Sequence, residues 1–154
     1  MSDQAPPVEQ QFGLQRLYTK DVSFETPQGP ALFQKAWKPE VHQELATRTV
    51  PLEDDLFEVV LTVTITGKLD GQPAFVVEVH QAGIFLIKGL TADQVRQVTG
   101  TTCPNVLFPY AREVVDSLMV RGTLPPLMLP PINFDALYQQ ALAQQTEQAG
   151  GTAH

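Results

Sequence analysis

The segment NVLFPYAREVVDSLMVR, residues 105–121, decides the fold of this chain. Its apolar residues recur as adjacent pairs every four positions, which predicts an amphipathic helix with one apolar side. Asn105 suits the N-cap position, Pro109 then falls in the first turn, and Gly122 supplies a left-handed residue after the end. The paired apolar residues are Val106, Leu107, Tyr110, Ala111, Val114, Val115, Leu118 and Met119.

Alternation predicts a first strand over residues 12–25, well before this helix. One side of this strand is mostly apolar and the other is acidic and polar, with Asp21, Ser23 and Glu25. The residues expected on the mostly apolar side are Phe12, Leu14, Arg16, Tyr18, Lys20, Val22 and Phe24.

Three more strands are expected over residues 40–49, 57–66 and 74–81, where β-branched residues are frequent and alternation continues. Asp70-Gly71 suits a tight turn between the last two, because both residues tolerate positive φ. In the fourth strand Phe75, Val77 and Val79 share one side, and Val76, Glu78 and His80 share the other. Gly83 is expected to mark a bulge or bend.

Helical periodicity replaces alternation after the fourth strand. Thr91 and Gln94 form a predicted capping box for a short helix that ends near Gly100. After the long helix, residues 123–131 (TLPPLMLPP) should be stiff and extended, and Asn133 should cap a last helix. Four strands followed by helices predict an α+β fold with a mostly antiparallel sheet. We expect one domain over residues 11–143, flanked by disordered tails at 1–10 and 144–154.

Bulk properties exclude several functional classes. A net charge of −7 argues against a nucleic-acid partner, which requires a basic face. The N-terminal residues lack the basic and apolar regions of a signal peptide, and no apolar run approaches the roughly 20 residues of a membrane helix. A cytoplasmic protein without stable membrane insertion is therefore expected.

Known catalytic and metal-binding patterns are missing from the sequence. His42, His80 and His154 have no spacing to cysteine or acidic residues that is typical of zinc ligation, and no phosphate-binding or nucleophile motif occurs. Cys103 is the only cysteine and is expected to serve as a small apolar side chain. We expect neither a cofactor, nor a metal, nor an enzymatic activity.

Two features favour binding instead. Aromatic residues lie beside proline-flanked segments, where they either fill the core or line an apolar groove. The acidic side of the sheet is either merely solvated or a dock for a basic partner. The aromatic residues are Trp37, Phe75, Tyr110, Phe134 and Tyr138; the residues of the acidic side are Asp21, Glu25, Val76 and Glu78.

Several runs of this sequence resemble the SecB family of bacterial protein-export chaperones, in the same order and over about residues 12–142. These runs are LYTKDVSFETP (17–27), FQKAWKPEV (33–41), EVVLTVTIT (58–66), CPNVLFPYARE (103–113), RGTLPPL (121–127) and INFDALY (132–138). The resemblance implies a four-stranded antiparallel sheet with the long helix and the C-terminal helix on one face. It also implies a homotetramer, built as a dimer of dimers.

The function implied by the resemblance is ATP-independent holding of unfolded preproteins in the cytoplasm and their delivery to the motor SecA. By position, Trp37, Phe75, Tyr110 and Tyr138 match the lining of the family's client groove, and Phe134 belongs to its movable last helix. Asp21, Glu25, Val76 and Glu78 match the SecA dock. Tyr138 replaces an expected Phe, and Val76 replaces a more usual Leu, so the groove is slightly more polar and the dock slightly smaller.

Two alternatives from other classes stay open at this point. One is a peptide-binding adaptor that recognises a single motif, and the other is a small α+β enzyme that uses Cys103. Aggregation suppression of several unrelated proteins without nucleotide separates the chaperone from both.

Overall fold

Four antiparallel strands and three α-helices form the fold in the computed structural model, which describes residues 9–151. The strands are β1 (Gln11–Glu25), β2 (Glu40–Pro51), β3 (Leu56–Leu69) and β4 (Gln72–Lys88). A short 3-10 helix, Gly29–Gln34, lies between β1 and β2. The sheet is followed by α1 (Ala92–Gly100), α2 (Thr102–Arg121) and α3 (Phe134–Gly151). The predicted α+β class is confirmed.

The strand order across the sheet is β1-β4-β3-β2, so that β1 and β2 are the edges. Asp70 and Gly71 have φ angles of 51° and 78° between β3 and β4, and they form the predicted tight turn. Asp54 and Asp55, with φ angles of 60° and 61°, occupy the turn between β2 and β3. Aspartate tolerates this left-handed conformation, which explains the acidic composition of the turn.

β1 does not alternate strictly, because its pairing with β4 shifts register at Gln15 and again at Lys20. Each extra residue reverses the side on which the following residues lie. Arg16 and Tyr18 therefore lie away from the helices, and Leu17 packs against the core. The prediction that placed Arg16, Tyr18 and Lys20 on the apolar side of this strand is wrong.

Gly83 lies inside a continuous β4 rather than at a bulge, since neither neighbouring strand shifts register there. A Cβ atom at this position would lie 2.8 Å from the Phe85 ring and 3.1 Å from the Leu107 side chain. Gly83 therefore lets α2 approach the sheet closely, and the predicted bulge is wrong.

α1 begins with the predicted capping box, and α2 begins earlier than predicted. The Thr91 hydroxyl accepts from the Gln94 N–H, and the Gln94 side chain accepts from the Thr91 N–H. α2 already begins at Thr102, so that Pro104, rather than Pro109, occupies its first turn. Burial of Cys103 and Pro104 against the core accounts for the additional turn.

The end of α2 also differs from the prediction. The Leu124 N–H donates to the Met119 carbonyl at 2.9 Å, and the left-handed residue is Thr123, with φ of 57°. Gly122 has φ of −83° and is not left-handed. A Cβ atom at Gly122 would lie 2.7 Å from the Phe24 ring, so the glycine is explained by close packing.

The helices lie on one face of the sheet, with α2 packed across β3 and β4. One apolar stripe of α2 is fully buried, and it contains Leu107, Ala111, Val115 and Met119. A second stripe is only partly covered; it contains Val106, Tyr110, Val114 and Leu118, and we call it the outer stripe. Val106, Val114 and Leu118 are partly buried against the core, whereas Tyr110 is 48% exposed, so the outer stripe leaves apolar surface uncovered by residues 9–151.

The segment between α2 and α3 is irregular and is held against α2. The Asp116 carboxylate accepts the backbone N–H groups of Leu127 at 2.9 Å and Met128 at 3.2 Å. Leu124 and Leu129 are buried in the core. The two hydrogen bonds to Asp116 and the burial of these leucines together fix the position at which α3 begins.

α3 has the predicted cap but extends beyond the predicted end. Asn133 Oδ1 accepts from the Ala136 N–H at 3.0 Å. Disorder was expected over residues 144–154, yet the helix continues to Gly151, and residues 152–154 lie outside the described part of the chain. Glutamine and alanine favour helix even without burial, which explains the extension. Of the tail predicted at residues 1–10, only Glu9 and Gln10 are described, and both are exposed.

Candidate functional site

The aromatic residues predicted to line one groove are divided among three places. Trp37 stacks on Phe75 with ring centroids 5.9 Å apart and an interplanar angle of 26°. Phe75 is fully buried, whereas Trp37 is partly exposed. Within this pair only Trp37 offers surface to a ligand, and Phe75 supports it from below.

Phe134 and Tyr138 attach the start of α3 to the other helices. The Phe134 ring lies 6.0 Å from the Phe108 ring in an edge-on arrangement and is buried. Tyr138, one helical turn later, lies against Gly100 at the end of α1. Because both rings are engaged in packing, they position α3 and contribute a limited area to any open surface.

Tyr110 lies apart from these residues, on the outer stripe of α2. It faces a shallow depression of about 250 Å³, which it lines together with Tyr18, Gln81 and Glu113 among others. The sequence-based grouping of Tyr110 with Tyr138 is therefore not reproduced as a single cavity within one chain.

One open space on the helix side lies between β2 and α3, and we call it the helix-side groove. It consists of two cavities of about 670 and 360 Å³ on the two sides of α3, with Ala141 lining both. Residues of β2 line it from the sheet, and residues of α3 from above. These are Gln43, Leu45, Thr47 and Thr49 from β2, and Leu137, Tyr138, Gln140, Ala141, Leu142, Gln144 and Gln145 from α3.

Sequence reasoning missed the contribution of β2 to this groove. The alternation in β2 is weak because the side that faces α3 carries Gln43, Thr47 and Thr49 beside Leu45. Amide and hydroxyl groups can hydrogen-bond a peptide backbone, while Leu45, Leu137 and Leu142 offer apolar contacts. The groove therefore suits an extended chain without requiring one particular sequence.

The predicted acidic residues are brought together on the opposite side of the sheet. The β1–β4 register places Glu25 opposite Val76, Ser23 opposite Glu78, and Asp21 opposite His80. Residues directly opposite each other point to the same side, so these side chains form one patch, which we call the acidic face. It comprises the four predicted residues Asp21, Glu25, Val76 and Glu78.

Elsewhere on this side of the sheet acidic side chains lie beside basic or histidine side chains, as Glu44 does with His42 at 3.2 Å, and this limits the patch. Glu58 accepts from Lys20 at 2.8 Å and from the Tyr18 hydroxyl. The hydrogen bond from Lys20, followed by that from Tyr18, lowers the pKa of Glu58, and burial together with Glu58 raises the pKa of Tyr18 to about 12. Arg16 and Arg48 lie exposed on this same half. Uncompensated carboxylates are therefore concentrated at the end near Glu25.

Cys103 lies in the core, and burial raises the pKa of its thiol to about 12. The nucleophilic form of cysteine is the thiolate, which is scarce at neutral pH under these conditions. His80 lies on the side of the sheet away from the helices, so the two residues do not form a nucleophile–base pair. This geometry argues against an enzyme that uses Cys103.

Two further features of residues 9–151 bear on other classes of function. Within that range, no three histidine, cysteine or acidic side chains converge closely enough to hold a metal ion. Within the same range, no helix has the length and apolar character needed to cross a membrane.

Comparison with known proteins identifies the class to which this fold and these surfaces belong. A family model described as preprotein translocase subunit SecB matches residues 5–145. The chain therefore belongs to the SecB family, and the predicted resemblance is confirmed. Its class is that of the protein-export chaperones.

Individual relatives agree with this assignment. The protein-export protein SecB of Hahella chejuensis is 51% identical over 154 residues, which cover 99% of this chain and 97% of that protein. A SecB-like chaperone of Mycobacterium tuberculosis, solved in complex with a ChAD peptide from an antitoxin, gives a TM-score of 0.60. The match covers 79% of this chain and 87% of that one at 20% identity, and it shows a shared fold.

Proposed function

We propose that this export chaperone holds unfolded preproteins in the helix-side groove and presents the acidic face to the motor SecA. The observation that carries the proposal is the separation of two different surfaces by one sheet. One surface is mixed apolar and polar and lies beneath α3. The other carries three carboxylates, Asp21, Glu25 and Glu78, on the opposite side.

Client binding follows from the composition of the helix-side groove. An unfolded chain exposes apolar side chains, and each Å² taken out of water contributes roughly 25 cal/mol. Leu45, Leu137 and Leu142 supply that contact, and Trp37 offers a further apolar surface. Several weak contacts along one client add up because each later contact is intramolecular. Binding only the unfolded state then draws a client away from its folded form by mass action.

SecA binding follows from charge. Three carboxylates attract a basic segment, and Val76 adds a small apolar contact at the Glu25 end of the face. Such attraction between exposed charges weakens as salt rises, with a screening length of about 8 Å at physiological ionic strength.

We also propose that the working form is a cytoplasmic homotetramer, assembled as a dimer of dimers. The outer stripe of α2 and the exposed apolar residues of the edge strand β1 support this. Phe12, Leu14 and Val22 are each more than 40% exposed in the single chain. Pairing between copies would cover both surfaces and remove an open strand edge. It would also bring further copies of Tyr110 and the groove residues onto one particle.

The experiment that tests the proposed function is aggregation suppression without nucleotide. Several unrelated proteins are diluted from denaturant, and light scattering is recorded with and without an equimolar amount of this chain. Suppression for most of them, unchanged by added ATP, is the expected result. Suppression of one protein only would favour a motif-specific adaptor, and no suppression at all would contradict the proposal.

A further inference from the structure

His80 lies at one end of the acidic face, in the row of Asp21, and contacts Glu78 of that face and Thr62 of β3. Its Nε2 is 3.3 Å from the Glu78 carboxylate, and its Nδ1 is 3.1 Å from the Thr62 hydroxyl. Asp21 lies directly opposite on β1. The His80 side chain is 31% exposed, so it is neither free in solvent nor locked in the core.

Two contacts define how the ring is held. Nδ1 shares a hydrogen bond with the Thr62 hydroxyl, which can donate or accept, and Nε2 lies at ion-pair distance from the Glu78 carboxylate. After protonation both ring nitrogens donate, and the Thr62 hydroxyl needs only to rotate to become an acceptor. The ring can therefore gain a positive charge while it keeps both contacts.

The charged groups around His80 lie on β1, β4 and β2. Asp21 on β1 and Glu78 on β4 are the nearest, and Glu44 on β2 lies in the same row as Glu78, paired with His42 at 3.2 Å. β3 contributes only the threonines of its outward side to this region. A proton on His80 thus enters a group of carboxylates and removes one unit of negative charge from the acidic face.

We propose that His80 is a positioning residue of the acidic face: its ring fixes the Glu78 carboxylate, and its charge sets how strongly the face attracts a basic partner. This inference rests on the proposed function, since it concerns the surface assigned to SecA. Neutral His80 leaves three carboxylates uncompensated, and protonated His80 leaves a net charge of −2 among the four residues. One charge at a distance of about 4 Å changes affinity roughly fivefold in a water-like dielectric.

The test measures the affinity of purified SecA for this chain by calorimetry between pH 5.5 and 8. We expect wild-type affinity to fall by up to about fivefold on acidification, because a proton on His80 removes one unit of negative charge beside Glu78. His80→Gln keeps a side-chain donor for Glu78, so its affinity at pH 8 should stay within about twofold of wild type while much of the pH dependence is lost. His80→Leu should weaken binding even at pH 8, because Glu78 then loses its contact with the ring nitrogen at 3.3 Å.

The matched control is His42→Gln. His42 also contacts a glutamate, but it is 72% exposed on the edge strand β2, so its loss should leave the pH profile unchanged. Groups of SecA that titrate affect the affinity of every variant equally. Subtracting the pH profile of each variant from that of the wild type therefore removes their contribution.

The outcomes separate this inference from the proposed dock. If His80→Gln retains the wild-type pH profile while Glu78→Lys abolishes binding, His80 has no such role and the dock stands. If no variant on this face affects SecA binding, the dock itself is wrong. A carbon-detected NMR titration of the unbound protein tests the contact directly. The Glu78 carboxyl signal should shift as His80 gains its proton, and a Glu78 signal that does not respond would overturn the inference.

Discussion

The ring of Tyr138 lies against Gly100, where a Cβ atom would come within 2.9 Å of it. Tyr138 belongs to α3 and Gly100 is the last residue of α1, so this contact joins the wall of the helix-side groove to the body of the protein. The absence of a side chain at Gly100 therefore determines how closely α3 can approach.

Gly100→Ala should loosen α3 without unfolding the protein. The added methyl displaces the Tyr138 ring, while the gain in helix propensity, about 1 kcal/mol, offsets the lost contact. Amide hydrogen exchange should quicken in the first two turns of α3, and the global free energy of unfolding should change by less than about 1 kcal/mol. Gly13→Ala is the control, because a Cβ there meets nothing within 4 Å. Equal protection of α3 in both variants would contradict this view of the contact.

Removing residues 139–154 should reduce client holding more than folding or assembly. This truncation retains Phe134 and Tyr138, which pack against the other helices, and removes most of the exposed part of α3. Light scattering during client aggregation and the mass of the particle in solution are the two measurements. A truncated chain that holds clients normally would show that α3 is not a wall of the groove.

Asp116→Ala should release the segment that leads into α3. Its carboxylate accepts two backbone N–H groups, and the loss leaves both donors without this partner. We expect the free energy of unfolding in urea to fall by about 1–3 kcal/mol. Glu113→Ala removes an acidic residue one turn earlier on α2, which is exposed, and it should cost less than about 0.5 kcal/mol. Equal decreases in the free energy of unfolding for the two variants would argue that Asp116 does not hold this segment against α2.

Stability should fall on acidification partly because of Glu58. Lys20 and Tyr18 lower the pKa of Glu58 in the folded protein below the usual 4.5, so the folded state binds this proton less readily than the unfolded state. The stabilisation is complete above pH 4.5 and is lost as pH falls through the lower, folded pKa. In urea unfolding, the free energy of unfolding of Lys20→Met should decrease less on acidification than that of the wild type. Lys38→Met, which alters another exposed lysine, should retain the wild-type slope.

Local sequence patterns predicted the features that depend on local chemistry. The Thr91 capping box, the Asp70-Gly71 turn and the buried stripe of α2 follow from spacing and residue type alone. The bulges in β1 were not predictable, because residues still alternate normally in the segments before and after each extra residue. They nevertheless decide that Tyr18 faces away from the helices.

Close packing explains the other differences from the sequence predictions. Gly83 and Gly122 indicated a bulge and a left-handed cap, yet each lies where a neighbouring side chain leaves no room for Cβ. Pro104 and Pro109 are equally acceptable as first-turn residues, and only the burial of Cys103 and Pro104 selects the longer helix. The residues of the acidic face share one side of the sheet because β1 resumes regular pairing from Asp21 onward, and their role as a dock stays a prediction.

The measurement that most directly tests the separation of the two surfaces is a paired assay of Glu78→Lys. SecA affinity by calorimetry should fall at least about tenfold, since a carboxylate is replaced by a cation at the centre of the acidic face. Holding of denatured proteins should remain at the wild-type level, and Glu53→Lys, the same charge change in the β2–β3 turn, should affect neither. Unchanged SecA affinity, or equal loss of both activities, would contradict the assignment of the two sides of the sheet to different partners.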